Sequence, residues 1–322
     1  MTSPPAAPGA GGQRQQPRPG SPKSGRPDGR TTGRRELSRH ARFAEISPEV
    51  GILDERAMSQ ALADDPTAFE LLAAMTTATD ENLRAAAIRL SAAIVLERAR
   101  SGRTSMRGIS RLRTVRGAPE GDLDIDASID GVSQARSEAR PVALDDLTTV
   151  QWAKANTAFA VVVDRSGSMT GARLAAAATV AAACALRAPQ EHAVLSFSGT
   201  VEIIRPLAGD IAPAVVAERL LRLRGHGVTR LAAALEAAHE QLAHARARRR
   251  VVILLSDCRS TDDDGTAEAA RAVDELVILA PADDHEQAAH LAAQAGARWG
   301  AIAHPLDAAA VLDRLLETRT TA

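Results

Sequence analysis

Thr157-Ala158-Phe159-Ala160-Val161-Val162-Val163-Asp164-Arg165-Ser166-Gly167-Ser168-Met169 is the stretch that decides the fold. Residues 158–163 are apolar without a break, so a strand here must be covered on both faces, as in a parallel sheet between two layers of helices. Similar short apolar runs recur at 193–197, 251–255 and 276–279, with a weaker one at 299–303. Ala-rich stretches with helical spacing separate them. Residues 201–204 follow their neighbour after only Ser198-Gly199-Thr200, a gap that suits a hairpin and makes this run an antiparallel edge. The expected fold class is therefore α/β: a doubly wound, mostly parallel sheet with one antiparallel edge strand.

Ligands of such sheets bind beyond the carboxyl ends of the strands, so the residue after each run carries the information. The first run ends in Asp164, followed by Ser166 and Ser168. The run at 251–255 ends in Ser256-Asp257, and Gly225-His226-Gly227-Val228-Thr229 opens a helix near Arg230. If the first and fourth runs are adjacent strands, about 4.8 Å apart, Asp164 and Asp257 emerge over one crevice. Two carboxylates and three hydroxyls form an all-oxygen set suited to a hard cation, Mg²⁺ or Mn²⁺. Neutral hydroxyls leave the ion less neutralised than a cage of carboxylates would, and open to a carboxylate from another molecule.

Asp164-x-Ser166-x-Ser168, then Thr229, then Asp257, resembles the metal-ion-dependent adhesion site of von Willebrand factor type A domains, over roughly residues 157–317. The resemblance implies a hexacoordinate divalent ion held by Asp164, Ser166, Ser168, Thr229 and Asp257, with a partner's Asp or Glu in the last position. Cys258 stands where that family usually has Gly. Arg165 occupies a variable motif position and reads as solvent-facing or partner-contacting.

Upstream, residues 36–150 read as a helical region with an Arg- and Gly-rich connector at 101–120, and 151–322 as the von Willebrand factor type A-like domain. Asp80 or Thr79 can cap a helix carrying Leu83, Ala87, Leu90 and Ile94 on one stripe. Asp122, Asp124 and Asp126 suggest a calcium loop, but Ala127 stands where that loop needs Gly, so a helix with acids in its first turn is preferred. Ile125, Ile129 and Val132 fit a face of that helix. Residues 1–35 hold seven Pro and seven Gly and a net charge of +6, which predicts a disordered tail. Without aromatic residues to stack on bases, that tail reads as a solvated segment rather than a nucleic-acid arm.

The 322-residue chain has net charge −1, no Tyr and two Cys, so its core rests on Ala, Val, Leu and Ile, and a disulfide scaffold is excluded. No signal region or membrane span is evident, and a cytoplasmic location is expected. The upstream helices and Gln151-Trp152 leading into Asp164 resemble bacterial CoxE-like proteins of this class. Such proteins are thought to act beside MoxR-type AAA+ ATPases in cofactor or metal insertion or protein-complex maturation. The resemblance thus implies a binding adaptor, not an enzyme, whose partner is that ATPase or its client. The chain itself lacks the phosphate-binding Gly-x-x-x-x-Gly-Lys-Ser/Thr motif. The alternatives are a metal-chelatase-like subunit and a Mg²⁺-dependent hydrolase.

Overall fold

Alternate residues of the quoted strand enter two different cores. Ala158, Ala160 and Val162 face one, while Phe159, Val161 and Val163 face the other, as the two-residue period of a strand requires. The computed structural model describes residues 31–101, 111–117, 122–153, 157–167, 169, 171–225, 227–260 and 265–317. In chain order its first elements are α1 (Arg34–Leu37), α2 (Phe43–Ile46), α3 (Glu55–Asp64), α4 (Ala68–Met75) and α5 (Glu81–Ser101). Then come β1 (Arg111–Arg116), β2 (Asp122–Leu123), α6 (Ile125–Ser137) and β3 (Thr148–Ala153). The α/β part follows with β4 (Thr157–Asp164), α7 (Gly171–Arg187), β5 (His192–Phe197), β6 (Val201–Arg205), α8 (Pro213–Arg222) and α9 (Leu231–Ala243). It closes with β7 (Arg249–Leu255), α10 (Thr266–Ala272), β8 (Leu276–Pro281), α11 (Glu286–Ala295), β9 (Arg298–Ile302) and α12 (Ala308–Glu317).

The main sheet has the order β6-β5-β4-β7-β8-β9. Its pairs are parallel except β5 with β6, which is the expected antiparallel edge. β4 and β7 are neighbours, so the two acid-bearing strand ends meet. Helices α9, α10 and α11 cover one face and α7 and α12 the other.

On the second face the layering continues. Phe43, Met58, Phe69, Leu72, Met75 and Leu83 share one apolar core with α7, α8 and the sheet. Full burial of each such side chain stabilises the fold by about 1.5–3 kcal/mol. Helix α7 is thus sandwiched between the sheet and the N-terminal helices, which explains its Ala-rich composition: small side chains allow close approach on both sides. At its first residue, Gly171 leaves no room for a side chain against the Ala73 carbonyl at the end of α4. The Arg224 guanidinium donates to the Thr76 carbonyl at 3.1 Å from the other side of that junction.

Several expectations are corrected. Residues 31–35 do not belong to a disordered tail: the Thr32 N–H donates to the Thr77 carbonyl at 2.8 Å, and the Arg34 guanidinium donates to the Ser47 carbonyl at 2.7 Å while lying over the Phe43 ring. The rest of that expectation, residues 1–30, lies outside the described residues. The region 36–150 is not purely helical. Part of the supposed connector forms β1, which pairs antiparallel with β3, and β3 also pairs with β2. Asp80 caps α5 by accepting from the Leu83 N–H at 2.8 Å, but the buried stripe runs through Leu83, Ala87, Ile88, Ala92 and Val95, leaving Leu90 and Ile94 at its margin.

Asp124 caps α6, accepting from the Ala127 N–H at 3.0 Å, as the helical reading requires. The face that α6 buries, however, is Ser128, Gly131 and Ala135; Ile125 and Ile129 are exposed. Gly131 sits directly on the Asp146 backbone, and this close approach selects small residues over branched ones. Among the described residues no helix is long and apolar enough to cross a membrane.

Candidate metal centre

The register of β4 and β7 sets the centre. Val163 pairs with Leu255, so the next residues along, Asp164 and Ser256, lie side by side on the same face. The Ser256 hydroxyl donates to Asp164 Oδ2 at 2.6 Å, and the Ser166 N–H donates to Asp164 Oδ1 at 2.6 Å. Asp257 therefore stands one step beyond the lateral neighbour of Asp164 rather than directly beside it. Both carboxylates are buried, as are Ser166 and Thr229. Ser168 and His226 lie outside the described residues.

Three loops converge here. The first is tied by the Met169 N–H to the Ser166 carbonyl at 3.0 Å. The second touches it at Gly225, where a Cβ would collide with the Ser166 carbonyl, so glycine is required by close approach. Thr229, at the end of the second loop, is held to the third: the Ser260 hydroxyl donates to its carbonyl at 3.3 Å. The Arg230 N–H donates to Ser198 O at 3.0 Å, anchoring the same turn on the β5–β6 hairpin. In the third loop the Cys258 N–H donates to Ser256 Oγ at 2.8 Å and the Arg259 N–H to Asp257 Oδ1 at 3.1 Å.

Burial pushes the Asp164 carboxyl above the ordinary carboxylate range, and the nearby Asp257 charge acts in the same direction. The Ser256 and Ser166 hydrogen bonds oppose this shift. Two carboxylates are thus held close together away from water, and a guanidinium lies near one of them: Arg173 Nη1 is 3.7 Å from Asp257 Oδ2. An additional hard cation fits that charge deficit. Asp164 accepts from the Ser256 hydroxyl and from both the N–H and the hydroxyl of Ser166. When bound, Mg²⁺ or Mn²⁺ would supply an electrophilic position for an anionic oxygen; Asp164, Asp257, Ser166 and Thr229 are the described residues suited to hold it.

Cys258 adopts φ +58°, the left-handed region that favours glycine. Its buried thiol is pushed well above the ordinary thiol range by desolvation and by the Asp257 and Asp164 charges, so it is a packing residue and not a reactive thiolate. Arg165 is not solvent-facing: its side chain is largely buried and pairs with Glu202 of β6 at 3.7 Å. Ser256 and Arg173 escape the sequence reading. Arg173 nevertheless leaves a signal, a cation in the first turn of α7, where the helix dipole disfavours it. Beside the third loop a groove of about 710 Å³ opens between α10 and α11, lined by Arg259, Ser260, Thr266 and His290 among others.

Residues 159–260 match the family model of the von Willebrand factor type A domain. No curated protein matches the chain in sequence. Among solved structures, a von Willebrand factor type A protein from Catenulispora acidiphila is 20% identical over 51% of this chain and 42% of that one, with a TM-score of 0.39. Proximal thread matrix protein 1 of the mussel byssus is 13% identical over 50% of this chain and 47% of that one, also at 0.39. The three N-terminal domains of the type V pili tip protein Mfa5 from Porphyromonas gingivalis are 21% identical over 35% of this chain and 22% of that one, at 0.30. This chain thus spans less than half the length of each. The segment from residue 159 to residue 260, which contains most of β4, all of β7 and every candidate ligand, is similar to the von Willebrand factor type A domain.

Proposed function

We propose that this chain is a metal-dependent protein-binding adaptor. Asp164, Ser166, Ser168, Thr229 and Asp257 hold Mg²⁺ or Mn²⁺ at the strand ends, and a partner's Asp or Glu completes the coordination. The observation that carries the reading is the pair of buried carboxylates, Asp164 and Asp257, at the ends of adjacent parallel strands, ringed by hydroxyl-bearing loops. The chain's own residues orient the ligands: Ser256 and the Ser166 N–H fix the Asp164 carboxylate, and Gly225 lets the Thr229 loop close on the Ser166 loop. Ser166 and Thr229 bring no charge, so the loaded centre keeps its attraction for an anion.

The partner in this proposal is a MoxR-type AAA+ ATPase or its client, acting in the cytoplasm during cofactor or metal insertion or complex maturation. Its support is the resemblance of the N-terminal helices and the Asp164 motif to CoxE-like proteins. Helices α4 and α5 also share one apolar core with α7, the helix that follows the Asp164 loop.

The test is calorimetric titration of Mn²⁺ into wild type, Asp164→Ala and Thr229→Ala, followed by recovery of bound proteins from the native host with and without chelator. Asp164→Ala should lose Mn²⁺ binding with the fold retained. Thr229→Ala should weaken both binding and capture. Undiminished Mn²⁺ binding in Asp164→Ala, or the same proteins recovered in every condition, would overturn the proposal.

A further inference from the structure

Arg173 lies beside the candidate ligands without belonging to the motif. It sits in the first turn of α7, where the helix end disfavours a cation and no acidic residue of that turn offsets it. Its side chain is largely buried, and Nη1 has no hydrogen-bond partner. Two acids hold it. Asp257 Oδ2 lies 3.7 Å from Nη1, too long for a hydrogen bond but close for two charges. Asp283, 110 residues further along, lies 3.4 Å from Nη2 with both oxygens and is exposed. The guanidinium is therefore shared between a buried acid of the metal centre and a solvated acid outside it.

We infer that Arg173 sets the net charge of the metal centre, weakening its hold on the bare ion and biasing the loaded centre toward a carboxylate ligand. This rests on the metal-site reading above. Asp164 and Asp257 together match the charge of a divalent ion; Arg173 adds a positive charge that the exposed Asp283 offsets only in part. The same positive charge opposes entry of the cation and, once the ion is bound, favours an anionic ligand. Asp283 moderates the effect by drawing the guanidinium toward solvent, where water screens its charge.

The experiment uses the full chain, with Mn²⁺ as the metal probe and acetate as the carboxylate probe. Mn²⁺ affinity is measured by calorimetry for wild type, Arg173→Gln, Arg173→Lys, Asp283→Asn and the Arg173→Gln/Asp283→Asn double variant, each checked by thermal melting. Arg173→Gln should bind Mn²⁺ roughly tenfold more tightly, and Arg173→Lys should stay near wild type. Asp283→Asn should weaken binding several-fold in the wild-type background but much less beside Arg173→Gln. Water-proton relaxation of bound Mn²⁺ should show that Arg173→Gln needs several-fold more acetate to displace coordinated water.

Equal or weaker Mn²⁺ affinity in Arg173→Gln overturns the inference while leaving the metal centre standing. So does an Asp283→Asn effect of the same size in both backgrounds, which would mark Asp283 as an independent charge. Absence of Mn²⁺ binding in every folded variant, wild type included, overturns the metal-site reading and the inference with it.

Discussion

Replacing Gly171 by Ala tests whether the N-terminal helices close on the helix that follows the Asp164 loop. A Cβ at Gly171 would stand 2.9 Å from the Ala73 carbonyl carbon and nearer still to its oxygen. Both partners are backbone within helices, so neither can turn aside as a flexible side chain would. Overpacking of this kind costs about 1–3 kcal/mol, and the rigid backbone on both sides places this case at the upper end, about 3 kcal/mol. Intrinsic preference works the other way: Ala is favoured over Gly in a helix by about 1 kcal/mol.

Gly167, four residues earlier, supplies the control. No atom lies within 4 Å of a Cβ built there, and its φ is not positive. Gly167→Ala should therefore fall within about 1 kcal/mol of wild type, on either side. Urea denaturation of both variants gives the two free energies, and the midpoint shift at unchanged slope isolates stability. Gly171→Ala should also loosen α1–α5 on α7, seen as faster hydrogen exchange at the junction. A stable Gly171→Ala with wild-type exchange would refute the packing of α4 against α7.

Burial of His192, with the Arg205 charge acting in the same direction, lowers its pKa to about 4 from 6.5, so the folded protein holds it neutral while the unfolded chain protonates near 6.5. Its contribution to stability is complete above pH 6.5 and is lost as pH falls toward 4, by about 3 kcal/mol; denaturation of wild type against His192→Gln from pH 7 to 4 should show the gap, and parallel curves would refute it. Arg205 is buried with its guanidinium donating to the His192 carbonyl, to Pro189 O at 3.2 Å and to Leu207 O at 3.2 Å. Arg205→Met should destabilise by about 2 kcal/mol because these carbonyls lose their donors, and wild-type stability by urea titration would count against that role.

The strands of the main sheet were legible because their evidence is local. Uninterrupted apolar runs at 158–163 and 251–255 state that both faces are covered, and the Gly-bearing gap at Ser198-Gly199-Thr200 states a hairpin. The placement of Asp164, Ser166, Thr229 and Asp257 at one end of the sheet was legible for a related reason: each ends or follows a strand or opens a helix there. The sheet of β1, β2 and β3 was not legible, since β1 is held by pairing Arg111 with Ala153 and Arg116 with Thr148, and such long-range partners leave little trace in the local pattern. On α6 the periodic Ile125 and Ile129 suggested the wrong buried face, because contact with the Asp146 backbone demanded Gly131 instead. Tertiary structure alone decided the lateral register that places Ser256, not Asp257, beside Asp164. It also decided the meeting of Arg173 with Asp257 and Asp283 across a sequence gap that no helical or strand period spans. Burial by a covered sheet is written residue by residue along the chain, whereas register and charge pairing depend on how distant segments come to lie against one another.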